Sequence, residues 1–106
     1  ETLTYTIARR DCTVLGGTAQ SDDWSLELRD SDRETILEKC EAVWPELDRS
    51  KIIGESVGLR PSRSEVRLES EIVNDTLIIH NYGHGGAGVT LSWGCADEVV
   101  SLIEDS

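Results

Sequence analysis

Apolar positions along the chain fall into short groups of different spacing, and the spacing predicts the element in each. Thr2 to Ile7 alternates in a strand pattern, and Cys12 to Leu15 forms a second short run ahead of Gly16-Gly17. With Ala8-Arg9-Arg10-Asp11 between them as a turn, these runs predict a hairpin. Gln20 to Asp32, polar and acidic around Trp24, is expected to cross the surface as a loop. The period then becomes helical: Ile36, Leu37, Cys40, Val43, Trp44 and Leu47 share one face, against solvated Glu38, Lys39 and Glu41. Ser31-x-x-Glu34 has the form of a capping box, Pro45 stops the helix near Val43 or Trp44, and Cys40 is expected in the core. Lys51 to Leu59 reads as a strand, with Gly54 and Gly58 as bulges or points of close approach. Glu65 to Glu69 alternates charged and apolar residues as a half-buried strand, and Leu77-Ile78-Ile79-His80 reads as a buried one.

After His80 come six polar or glycine positions, and the chain then turns amphipathic through Val100. The order is strand, glycine turn, helix start. Gly83, Gly85, Gly86 and Gly88 crowd the turn, as backbone does where it takes positive φ or comes close to another group, a ligand included. Thr90 and Ser92 add hydroxyls near a helix N-terminus, which favours an anion or an electron-rich oxygen. Gly83-x-Gly85-x-x-Gly88 has the dinucleotide spacing but no βαβ unit after it, and no Gly-Lys-Ser/Thr follows to make a nucleotide-triphosphate loop. The alternative reading is a tight structural turn. His80 and His84 would share a face only on a helix, and the change from strand to turn between them argues against a metal pair. Each is expected to bond backbone in the turn.

Composition narrows the chemistry. A chain of 106 residues, 38% apolar, makes one small domain with room for one sheet. Its net charge of −11 argues against nucleic acid or an anionic membrane as partner. Cys12, Cys40 and Cys95 have neither disulfide nor metal spacing and suit a reducing compartment. No apolar run approaches membrane-spanning length, no metal set stands out, and the absent initiator Met suggests a fragment or processed piece. Arg60, Arg63 and Arg67 cluster within eight positions. They read either as a solvated face paired with Glu65 and Glu69, or as planar guanidinium forks suited to a carboxylate.

Two stretches carry a family resemblance. His80-Asn81-Tyr82-Gly83-His84-Gly85-Gly86-Ala87-Gly88-Val89-Thr90, followed by Trp93-Gly94-Cys95-Ala96, resembles the C-terminal signature of the D-amino-acid oxidase and D-aspartate oxidase family. Gly58-Leu59-Arg60-Pro61-Ser62-Arg63 with Val66-Arg67-Leu68-Glu69 is similar to the family's G-[FL]-R-P-x-R-x-x-[IV]-R-L-E. Tyr5-x-Ile7, a turn and Leu15-Gly16-Gly17 resemble a third segment, though Ala8 stands where the family usually has proline. The resemblance runs from Tyr5 to about Leu102 and leaves out the family's N-terminal Rossmann-type flavin unit. It therefore implies the C-terminal part of an FAD-dependent oxidase.

The implied fold is α+β: a mixed, mainly antiparallel substrate-domain sheet with one flanking helix, residues 1–76, then a strand, glycine loop and helix of the FAD-binding domain, residues 77–106. The implied reaction passes the α-hydrogen of a D-amino acid to the flavin as hydride; the imino acid hydrolyses to a 2-oxo acid and ammonia, and oxygen is reduced to peroxide. No side chain acts as acid or base. Arg60 and Tyr5 would fix the substrate carboxylate and the Gly86 carbonyl its amine. Gly85, Gly86, Gly88, Val89 and Thr90 would contact FAD, the N–H groups of Val89 and Thr90 near flavin O2. Trp93 and Cys95 would pack. Implied partners are the D-amino acid, molecular oxygen and the remainder of the polypeptide, with a homodimer allowed, in peroxisome or cytoplasm, without a terminal Ser-Lys-Leu. Thr18 and Val57-Gly58-Leu59 resemble D-aspartate oxidases, but Ala19 stands where those enzymes place a second arginine, which favours neutral D-amino acids. A D-aspartate oxidase, a glycine- or sarcosine-type amine oxidase and a non-enzymatic acidic module are the alternative readings.

Overall fold

The computed structural model describes residues 3–106, so Thr2 of the expected first strand lies outside the described residues. The elements are β1 (Tyr5–Ala8), β2 (Thr13–Gly16), helix α1 (Asp30–Val43), a 3-10 turn (Arg49–Lys51), β3 (Ser62–Val73), β4 (Thr76–His84), a second 3-10 turn (Gly85–Ala87) and helix α2 (Gly88–Glu104). The fold is α+β. In place of one mixed sheet there are two separate antiparallel pairs, β1–β2 and β3–β4. Each is a local hairpin, and no strand among the described residues joins the two. The chain divides between Leu59 and Arg60 into two compact units. The boundary expected between residues 76 and 77 falls at the start of β4.

In the first unit, Tyr5 pairs with Gly16 and Ala8 with Thr13, closed by the Arg9 N–H donating to the Cys12 carbonyl at 2.8 Å. Helix α1 packs on β2. Cys40 is fully buried and its thiol donates to the carbonyls of Tyr5 and Gly16 at 3.6 and 3.7 Å. Leu37 is also buried. Lys39 Nζ donates to the carbonyls of Leu3, before β1, and Gly17, just after β2, at 2.7 and 3.0 Å, tying the helix to the open end of the hairpin. Only part of the expected helical face is covered, since Val43 is exposed: one short hairpin cannot shield four turns. Pro45 ends the helix at Val43 as its missing donor requires.

The capping box does not form. The helix begins at Asp30 after Arg29, with no side-chain cap, so Ser31 lies inside it and its carbonyl accepts the Thr35 hydroxyl at 2.8 Å. What holds the approach is Asp23, whose carboxylate accepts two hydrogen bonds from Arg29 at 2.5 and 3.1 Å. Residues 20–29 are otherwise the loop expected. Lys51 to Leu59 is not a strand: past the 3-10 turn residues 52–61 are irregular, Ile53 is 86% exposed, and the run pairs with no strand among the described residues. A β-pattern becomes a strand only where an edge is available to pair.

In the second unit, Asn74 and Asp75 take φ of 50° and 59° and close a two-residue hairpin. From Val73 paired with Thr76 the register runs regularly to Arg67 opposite Tyr82. Then it breaks, and the next pair is Ser62 with His84, leaving residues 63–66 opposite Gly83 alone. That bulge overrides the alternation expected over Glu65 to Glu69, where Arg67 and Leu68 are the half-buried neighbours. Leu77 to His80 is half-buried rather than buried, because α2 is the one helix packed on this hairpin. The same strand continues past His80 through Gly83 to His84.

Candidate functional site

Tyr5 belongs to the first unit. Its ring lies against the Gly16-Gly17 backbone so closely that a Cβ at Gly16 would collide with the ring, and one at Gly17 would stand 2.8 Å from Cε1. The diglycine is the seat of this aromatic side chain. Thr18 follows directly and has interactions of its own.

Arg60 and the glycine turn belong to the second unit, and the hairpin joins them. Arg60 precedes the Ser62–His84 pair, and the Gly85 N–H donates to the Pro61 carbonyl at 2.9 Å. Residues 24 positions apart thus share one end of the hairpin, with the start of α2 beside them. Two of the glycines are conformational necessities: Gly83 has φ of +86° and Gly85 of +56°. A Cβ on Gly83 would also stand 2.6 Å from Arg63 Cδ. Gly86 differs, since a Cβ there meets nothing within 4 Å and its backbone is not left-handed. The local fold gives no reason for glycine at that position.

Helix α2 begins at Gly88, with Ala87 before it and no side-chain cap. Gly88, Val89 and Thr90 are therefore the first-turn residues, whose N–H groups have no partner one turn back in the helix. Val89 is 91% exposed and Thr90 is exposed as well. An acceptor outside the helix would meet both these donors and the positive end of the helix dipole. Cys95 is buried on the side of α2 packed on the hairpin, while Trp93 is 84% exposed, so the packing expected of both holds here for the cysteine alone.

The two histidines do not bond backbone as expected. His80 Nε2 meets Glu71 Oε1 at 2.7 Å, because the regular register sets their side chains on one face of the hairpin. His84 Nε2 lies 3.4 Å from Cys95 Sγ, linking the end of β4 to α2. No group of three metal-ligating side chains occurs among the described residues. One cluster escaped the sequence reading: the Tyr82 hydroxyl accepts from Arg67 Nη1 at 2.9 Å and from Arg63 Nη1 at 3.2 Å. The signal was available in Asn74-Asp75, a two-residue turn that sets Arg67 opposite Tyr82 by counting back along both strands.

Comparison with known proteins bears on this arrangement. The model of the DAO family, described as FAD dependent oxidoreductase, matches residues 1–102. The chain is 50% identical over 101 residues to a D-amino-acid oxidase of Rubrobacter xylanophilus, covering 94% of this chain and 31% of that protein. It is 44% identical over 106 residues to a D-amino-acid oxidase of Dictyostelium discoideum, covering 96% and 31%. A third relative, D-aspartate oxidase 1 of Caenorhabditis elegans, is 38% identical over 110 residues, covering 98% and 33%. The chain spans about a third of the length of the curated relatives it matches.

Proposed function

Because the chain belongs to the DAO family of FAD dependent oxidoreductases, we propose that it is the C-terminal part of an oxidase that deaminates D-amino acids, using FAD and molecular oxygen. The products are a 2-oxo acid, ammonia and hydrogen peroxide. The observation that supports this reading is the Gly85 to Pro61 main-chain bond, which brings the Arg60-Pro61 segment and the glycine turn to one end of one hairpin. An amino acid presents a carboxylate and an amine on one carbon, and these are two recognition elements of matching chemistry.

Arg60 binds the α-carboxylate. The Gly86 carbonyl accepts from the amine, which the absent side chain leaves room to approach. With both ends held, the α-hydrogen is oriented for transfer, and orientation is the larger part of what the protein contributes. FAD, when bound, supplies the two-electron acceptor. The residues present fit it: Gly85, Gly86 and Gly88 would leave room for it beside the backbone, and the N–H groups of Val89 and Thr90, at a helix start without a side-chain cap, would favour negative charge on it. Residues 1–76 would then belong to the substrate-binding domain and residues 77–106 to the flavin side.

The test is Arg60→Ala in the full-length enzyme, with a D-amino acid as substrate and FAD content measured alongside. Loss of a charge-assisted, bidentate contact weakens substrate binding by on the order of 2–3 kcal/mol with flavin retained. An unchanged KM would remove Arg60 from the site. A parent enzyme that consumes no oxygen with any D-amino acid would overturn the function.

A further inference from the structure

One side-chain cluster of the second unit has no part in the assignments above. Tyr82 stands opposite Arg67, and its hydroxyl is shared by Arg67 and Arg63 at 2.9 and 3.2 Å. The two guanidinium carbons also lie 5.8 and 5.3 Å from the centre of its ring. Two like charges gathered on one phenol need compensation, and Arg67 finds it in Glu69 at 2.8 Å and Glu71 at 3.7 Å. Glu71 in turn holds His80, whose ring meets that of Tyr82 edge to face at 6.0 Å. Hydrogen bonding from Arg67, with the charges of both arginines, holds the Tyr82 hydroxyl below the usual tyrosine pKa.

The place of this cluster in the hairpin matters more than its composition. Arg67–Tyr82 is the last regular pair before the bulge. Arg63 lies inside the bulge, with its aliphatic stem where a side chain of Gly83 would be. Beside the Ser62–His84 pair, the segment that follows Arg60 is held by the Pro61 carbonyl on Gly85 and by the Arg63 guanidinium on Tyr82. Residues bulged out of a ladder lose their strand hydrogen bonds, so side chains must supply the restraint.

We propose that Tyr82 is a positioning residue for substrate binding: by drawing Arg63 and Arg67 onto one hydroxyl it fixes the bulged strand that carries Arg60, and so the place of the carboxylate clamp. The inference rests on the reading of Arg60 given above. It assigns Tyr82 no contact with substrate or flavin.

The test is Tyr82→Phe in the full-length holoenzyme, which keeps the ring and removes only the shared oxygen. KM for a D-amino acid and the inhibition constant of propionate, which presents a carboxylate and no amine, rise together by about tenfold while kcat stays within about twofold. FAD content and Tm match the parent. Arg63→Met, which removes the donor inside the bulge, raises both constants in the same way. Unchanged constants in the two variants overturn the proposal. So does a rise accompanied by loss of FAD or a lower Tm, the mark of a merely structural contact. An active parent with an unaffected Tyr82→Phe removes the inference alone, whereas a parent inactive on every D-amino acid removes it together with the function on which it rests.

Discussion

At the scale of single residues, the glycines of one turn separate into two kinds. Gly83 is required by its left-handed backbone and by the Arg63 stem beneath it, so any side chain there strains the fold. Gly86 has open space and an ordinary backbone, so the local fold does not require glycine there, whereas the proposed amine contact would. Gly86→Val in the full-length enzyme is therefore expected to leave Tm within a degree or two of the parent and to lower kcat/KM by about a hundredfold, since a branched side chain blocks the amine. Wild-type turnover in that variant would show that the glycine serves the turn only. The sequence displayed four glycines without distinguishing them. Which were structural depended on φ and on neighbours 20 positions away, neither of which spacing encodes.

At the scale of elements, each unit builds its stability around one helix. In the first, Leu37 and Cys40 are the buried side chains of α1, and Lys39 ties the helix to two backbone carbonyls. Leu37→Ala removes one of these two anchors and is expected to cost roughly 2–4 kcal/mol in urea unfolding. A loss below about 1 kcal/mol would mean that the helix is held chiefly by Lys39 and Cys40. Helix α2 shows a second pattern. Cys95 is buried and Val99 and Leu102 are half-buried, while Val89, Trp93, Val100 and Ile103 form another apolar face that is exposed. A helix apolar on two sides belongs between two layers. Periodicity located both helices correctly because each has an apolar face to bury. It misplaced the strand over Lys51 to Leu59 because an apolar run says nothing about whether an edge exists beside it.

At the scale of the whole molecule, the relatives are about three times as long as this chain, and the strand-glycine-helix passage of β4 and α2 leads into no second parallel strand among the described residues, as a pyrophosphate-gripping βαβ unit would. We expect the 106-residue chain by itself to bind FAD weakly and to turn nothing over, with the outer face of α2 uncovered; a stoichiometric yellow complex would contradict this. Substrate choice is set at the same scale. A D-aspartate side chain brings a second carboxylate, and burying it without a cation costs several kcal/mol. Ala19 follows Thr18, where the resemblance to D-aspartate oxidases would put an arginine. The full-length enzyme should oxidise D-alanine faster than D-aspartate. A tenfold advantage for D-aspartate, about 1.4 kcal/mol, would place another arginine in the pocket.

The sequence by itself determined the family, the helix over Asp30 to Val43 with its stop at Pro45, both hairpins' strands in outline, and the passage from strand through glycine turn to helix at the C-terminal end. Those features are local: propensity, period and the chemistry of proline and glycine act within a few residues. Only the tertiary structure decided that residues 63–66 bulge opposite Gly83, that Pro61 and Gly85 share a hydrogen bond, and that His80 and His84 serve Glu71 and Cys95. Each of these depends on pairing register or on packing between segments distant along the chain. A shift of one residue in register would exchange the two faces of the hairpin and undo them all.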